Sequence, residues 1–309
     1  MSWFRAPGAI LLAGMMIGVV AGCGGDRDTA DDALIIAVSV QPQAWLVEQV
    51  AGDRAEVITL LSPGDSPATY QPTDAQISRV MSARLYLRTG VPFENGRWFE
   101  TFEISAGPEV VDLRDGIMLH QMAHDHSHEG EGAGAGEHVD EPAGEAGSGT
   151  DPHIWVSPEL LKIQAHTIAD ALSEVDSVNR DEYHRRLEAL ITELEELQTW
   201  IHGRLDEHRD RAFYVFHPAW GYFADEFGLQ QKAIEIEGKD PSDHDLTLIQ
   251  TGMRSDRATV IFVQPQIGSR AVEAIADAAG AEVRILDPLV RDVIANLRGV
   301  TDAIAGTFK

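Results

Sequence analysis

Apolar residues along the chain fall into two recurring patterns. Residues 33–40 read ALIIAVSV, a short continuous run of the kind expected for a strand buried on both faces. Comparable runs lie at 55–61, 84–88, 109–111, 212–216, 232–236, 259–263 and 282–286. Between and after them the pattern turns helical, at 45–50, 73–82, 96–104, 220–227, 242–253, 269–279 and 289–305. Thr73 and Ser242 stand where caps belong, and Ser157-Pro158-Glu159 supplies a cap followed by proline at the first helical position, opening a helix to about Val175. Strand alternating with helix predicts an α/β chain with parallel sheets.

The longest periodic segment opens near Asn179. Its apolar positions, Tyr183, Leu187, Leu190, Ile191, Leu194, Leu197, Ile201 and Leu205, recur at close to 3.6 residues. About 30 residues at 1.5 Å each would span roughly 45 Å, more than one small lobe needs. The expected organisation is therefore two α/β lobes joined by one long helix: a first lobe over 33–178 with a loop at about 118–150, a linking helix over 179–209, and a second lobe over 210–309. No repeat relates the two halves in sequence.

The first residues follow neither pattern. Arg5 precedes an apolar run from Ala9 to Val20 and a small-residue stretch ending at Cys23, which reads as an export signal over 1–22. Its apolar core falls short of the roughly 20 residues a spanning helix needs. Val20-Ala21-Gly22-Cys23 resembles a bacterial lipobox, so Cys23 is the expected lipidation site, with residues 23–32 as a tether. A single cysteine in 309 residues excludes an internal disulfide and a thiolate metal site. Lysine and arginine number 24 against 50 aspartate and glutamate, a net charge of −26 that repels nucleic acid and concentrates cations.

Candidate chemistry gathers around histidine. Six of the twelve histidines lie between Met118 and Trp155, and His120, His124, His126, His128 and His138 are candidate loop ligands in a segment rich in glycine and acid. His153, His217 and Asp287 each stand where a strand or turn gives way to a loop, the usual place for ligands in open α/β sheets. Two imidazoles and a carboxylate suit Zn²⁺ or Mn²⁺. His166, His184, His202 and His208 sit among charged neighbours on helices and are expected at the surface, and His244 belongs to a helix start.

Gly64-Asp65-Ser66-Pro67-Ala68-Thr69-Tyr70-Gln71-Pro72-Thr73, Asp151-Pro152-His153-Ile154-Trp155, His217-Pro218-Ala219-Trp220-Gly221-Tyr222-Phe223, and Val263-Gln264-Pro265-Gln266 leading to Leu286-Asp287-Pro288-Leu289 together resemble the substrate-binding proteins of bacterial zinc and manganese ABC transporters. The resemblance covers nearly all of the chain after the tether. It implies a rigid linking helix, a metal site in the interlobe cleft held by His153, His217 and Asp287, and delivery of Zn²⁺, with Mn²⁺ or iron as the alternative, to a membrane permease and its ATPase. It also implies an extracytoplasmic, membrane-anchored monomer and no enzymatic activity. A periplasmic zinc buffer or adhesin could use the same residues. A metal-dependent hydrolase is disfavoured by the lack of a His-Glu-x-x-His helix and of a general-base glutamate beside the histidines.

Two positions of the first motif depart from the family's pattern, one of them the fourth ligand position. Histidine is usual directly after the Ser-Pro of the first motif, and here that residue is Ala68; the glutamate common before the next proline is Gln71. A water-completed three-ligand site, a loop histidine such as His124 or His126, and a weakened site with altered specificity are the alternatives, with the loop histidine favoured for its high effective concentration.

Overall fold

The computed structural model describes residues 33–104, 106–121, 149–235, 241–267 and 269–308. The signal segment, Cys23, the tether, and loop residues His124, His126, His128 and His138 lie outside them. Residues 33–309 form one compact unit. Its elements run β1 (Leu34–Val38), α1 (Gln41–Ala51), β2 (Ala55–Thr59), α2 (Asp74–Val80), β3 (Leu85–Arg88), α3 (Arg97–Ile104), β4 (Glu109–Asp112), α4 (Pro158–Val175), α5 (Arg180–Leu205), β5 (Ala212–Val215), α6 (Gly221–Phe227), β6 (Gln230–Ala233), α7 (Asp243–Asp256), β7 (Val260–Val263), α8 (Ser269–Ala279), β8 (Glu282–Ile285) and α9 (Val293–Ala305).

The strands form two four-stranded sheets of the same connectivity, β2-β1-β3-β4 and β6-β5-β7-β8, every pairing parallel. Parallel pairing follows from the chain, since each strand is separated from the next by a crossover rather than a tight turn. The central β7, with sequence VIFV, is buried at all four positions. A topological repeat therefore exists where no sequence repeat is visible.

Predicted boundaries hold to within a few residues except in three places. Helix α1 begins at Gln41 rather than Trp45, because Pro42 in its first turn is compatible with a helix start. Strand β6 occupies Gln230–Ala233, two residues earlier than the apolar run suggests. Gly228, left-handed at φ 70°, stops α6, and Gln230 N bonds to Arg211 O at 3.0 Å, so pairing starts at once. Helix α9 starts at Val293 rather than Leu289, since Asp292 caps it by accepting from Ala295 N and the preceding residues form the Asp287 loop.

Helix α5, at 26 residues about 39 Å long, packs against α1, α4, α6 and α9. Its stripe of Tyr183, Leu187, Leu190, Leu194, Leu197, Ile201 and Leu205 is buried. The main core is continuous from β1 and β3 through α4 and α5 to Phe213, Phe223 and Leu297, while Tyr214, Phe216, Ile261 and Val272 belong to a smaller core with Met253 and Ile275 of α7 and α8. The two sheets are thus held by shared apolar packing around one helix.

Candidate metal centre

In the second sheet the polar residues of interest lie just beyond the carboxyl ends of their strands. β5 leads through Phe216 to His217, β6 through Ile234 to Glu235, β7 directly to Gln264, and β8 through Leu286 to Asp287. Strand order then sets them in a row, with Glu235 and His217 adjacent and the Gln264–Gln266 turn between His217 and Asp287. Backbone bonds fix the exits: Phe216 N donates to Phe262 O at 2.8 Å, Glu235 N to Phe216 O at 3.0 Å and Leu286 N to Val263 O at 2.9 Å.

His153 comes from the other side of the cleft, in the turn before α4. It is 7 % exposed, and its neighbour Asp151 is 4 % exposed. The Asp151 carboxylate accepts from His153 N at 2.9 Å and from His153 Nδ1 at 2.7 Å. Across the cleft the Glu235 carboxylate accepts from His217 Nδ1 at 2.5 Å. The two imidazole rings meet edge to face with centroids 5.3 Å apart. A ring nitrogen that donates to a carboxylate leaves the other nitrogen, Nε2, with a free lone pair, which is the arrangement of metal-binding histidines. Both rings are prepared as Nε2 ligands.

Burial by itself raises the Asp151 carboxyl, but electrostatic attraction to His153, the hydrogen bonds from His153 and attraction to His217 outweigh it and hold the group below the usual carboxylate range. Asp151 is therefore an anion beside the two rings. Glycine at 221 permits the approach, since a Cβ there would meet Asp151 Oδ2 at 3.2 Å.

Asp287 is tied to the same region by its backbone. Trp155 Nε1 donates to Pro288 O at 2.8 Å, and the Trp155 ring lies 5.3 Å from that of His153. Asparagine 296 donates to Asp287 O at 2.9 Å, and Asp287 Oδ1 accepts from Leu289 N at 2.9 Å. The strands carrying His217 and Asp287 are separated by β7, roughly 10 Å at ordinary strand spacing. Accordingly, His153 and His217 are brought together, the loop carrying Asp287 is tied to the neighbouring Trp155, and among the described residues no three His, Cys, Asp or Glu side chains converge as a metal-binding group.

The first-lobe motif is a loop after β2. Tyr70 anchors it, donating to Leu60 O at 2.8 Å, accepting from Gln76 Nε2 at 2.6 Å and packing on Phe93 at 5.0 Å. Ala68 and Gln71 are exposed on it. Position 68 carries only a methyl group, which cannot coordinate a metal.

Among the loop candidates, His120 is described. Its ring stacks on Tyr222 at 4.2 Å, and its Nε2 lies 3.4 Å from Asp225 Oδ2. Asp151 N donates to His120 O at 2.8 Å, Tyr222 Oη donates to Asp151 O at 2.9 Å, and Gln121 bridges Thr150 in antiparallel fashion. The two ends of the loop are therefore closed together beside His153. The Tyr222 hydroxyl, pushed up to about 12 chiefly by burial, keeps its proton for this bond. His166 and His244 are exposed; His184, His202 and His208 are half-buried, with His202 against Phe227 and His208 against Phe308.

Sequence reasoning missed Glu235. Its signal is weak, a carboxylate at the end of a strand in the alternating EIE of residues 235–237, and its pairing with His217 depends on β5 and β6 being neighbours.

The sequence model of the family described as ZnuA, zinc-uptake complex component A, periplasmic, matches residues 36–305. The high-affinity zinc uptake system protein ZnuA of Bacillus subtilis strain 168 is 27% identical over 284 residues, which cover 88% of this chain and 85% of that protein. The protein of the same name from Yersinia pestis is 26% identical over 274 residues, 84% of each chain. A crystal structure of ZnuA superposes with a TM-score of 0.78 at 36% identity, covering 90% of this chain and all of that one.

Proposed function

Since this chain belongs to the ZnuA family of periplasmic zinc-uptake components, matched over residues 36–305, we infer that it is an extracytoplasmic receptor that captures Zn²⁺ and hands it to an ABC-type permease. The observation that carries the reading is the pair of imidazoles, His153 and His217, 5.3 Å apart with each Nδ1 committed to a carboxylate. Two neutral imidazoles and one carboxylate form a donor set suited to Zn²⁺. The set has no thiolate and, in this family of transport receptors, serves capture rather than catalysis.

His153 and His217 form the standing half of the site, and Asp287 closes on the ion as the third ligand. The ion itself supplies what draws these groups together, because the negative cleft relaxes when a cation neutralises it. The fourth position is filled by a donor other than residue 68. The closed neck at Gln121 and Thr150 starts the histidine-bearing loop beside His153, which supports a loop histidine as that donor. Removing residues 121–140 should then lower zinc affinity and stoichiometry; unchanged affinity would leave water as the fourth ligand. Lipidation of Cys23 would hold the receptor at the membrane, where the permease is.

Elemental analysis of the purified mature protein, followed by competition among zinc, manganese and iron, tests the assignment. Zinc is expected to be retained and to win. His217→Ala should weaken zinc binding by about 100-fold or more. Manganese preference, or a His217→Ala protein with full zinc affinity, would overturn the reading.

A further inference from the structure

The Val263-Gln264-Pro265-Gln266 turn has no part in the site so far, yet strand order places it between the strands of His217 and Asp287. Gln266 Nε2 donates to Asp287 Oδ1 at 3.4 Å, and Leu289 N donates to the same oxygen at 2.9 Å. Among the described residues, Oδ2 of Asp287 takes part in no hydrogen bond. The carboxylate is thus divided, one oxygen held by two N–H donors and the other left available. Gln266 Oε1 is buried and without a hydrogen-bond partner, so no other protein contact of the carbonyl fixes the amide in place. A side-chain amide whose buried oxygen has no partner while its N–H meets a carboxylate is arranged for that carboxylate.

The geometry points to Gln266 as a specificity-determining positioning residue that, together with Leu289 N–H, reserves Asp287 Oδ1 and leaves the aspartate a single oxygen for the cation. The inference rests on Asp287 being a ligand, as proposed above. Its consequence is a limit on coordination number. Zn²⁺ is satisfied by four ligands in a tetrahedron, to which a one-oxygen carboxylate contributes one position. Manganese prefers six oxygen-rich positions and gains from a carboxylate that binds through both oxygens. Gln266 therefore selects against the larger coordination sphere without touching the ion.

The test compares Gln266→Leu with the unaltered protein in direct zinc and manganese titrations, with Co²⁺ absorption as a reporter of geometry. Loss of the N–H donor should lower the zinc-to-manganese affinity ratio by about 10-fold or more. The Co²⁺ bands should weaken as four-coordination gives way to five or six. An unchanged ratio with an unchanged Co²⁺ spectrum would overturn the inference. Gln266→Met, which keeps the length and flexibility of the side chain, provides the same comparison if the leucine variant does not fold. Asp287→Ala separates the two levels: full zinc affinity there would remove the ligand on which the inference depends. A large loss in Asp287→Ala beside Gln266 variants with wild-type selectivity would remove the role of Gln266 alone.

Discussion

Each cleft histidine carries a carboxylate on its far nitrogen, and the two carboxylates differ in setting. Asp151 is almost fully buried and also holds the backbone of His153, whereas Glu235 keeps some exposure and touches His217 through one bond. Asp151→Asn should therefore cost more than Glu235→Gln in zinc affinity, both within about 10- to 100-fold. Isothermal titration of the two variants would show the order, and equal affinities to wild type would deny both a positioning role. A second buried carboxylate, Glu94, accepts from Ser39, Tyr86, Thr89 N and Gly90 N at the carboxyl ends of β1 and β3. Burial raises it above its ordinary 4.5 against the pull of those donors and of Arg88. A raised carboxyl contributes its full stability below 4.5 and loses it as pH rises through the higher folded value. Glu94→Gln sets an amide N–H₂ against backbone donors and should destabilise by about 1–3 kcal/mol. Urea unfolding at pH 5 and pH 8 should show the gap from wild type narrowing with pH. His153, His217 and Asp287 were recognisable as candidates because each stands at a strand or turn end before or after a proline. Glu235 and Gln266 were not, since their roles depend on which strands are neighbours.

Helices announced themselves better than strands did. Thr73 caps α2 through a reciprocal bond pair with Gln76, Ser157 caps α4 by accepting from Leu160 N at 3.1 Å, and Ser242 pairs likewise with Asp245. All three follow from local residue chemistry that a linear reading can see. β6 was misplaced because its sequence, QQKA, lacks an apolar signature; its position depends on the turn at Gly228 and the edge of β5. The α5 stripe was read nearly whole, periodicity over 26 residues being hard to imitate by chance. Leu194 is fully buried at the middle of that stripe, so Leu194→Ala should lower stability by about 2–5 kcal/mol, measured by chemical unfolding. A loss below 1 kcal/mol would argue that α5 is not a structural spine.

At the scale of the molecule, the continuous core through α5 couples the two sheets, so heat should unfold residues 33–309 in one transition rather than two. Calorimetric and van't Hoff enthalpies that disagree by a factor near two would contradict that coupling. The repeated connectivity of the two sheets escaped the sequence because parallel strand order is a property of space, not of residue identity. The closure of the loop ends, Asp151 N on His120 O and Gln121 against Thr150, carries one more consequence. Whatever lies between residues 121 and 150 begins and ends at one point, so its two ends are held together whatever its length. Doubling the length of such a segment changes closure entropy by only about 0.6 kcal/mol. Deleting residues 122–148 should accordingly leave the melting temperature nearly unchanged. Evolution can therefore lengthen, shorten or re-arm this insert with histidines at almost constant stability, changing the supply of ligands beside His153 without disturbing the fold that carries it.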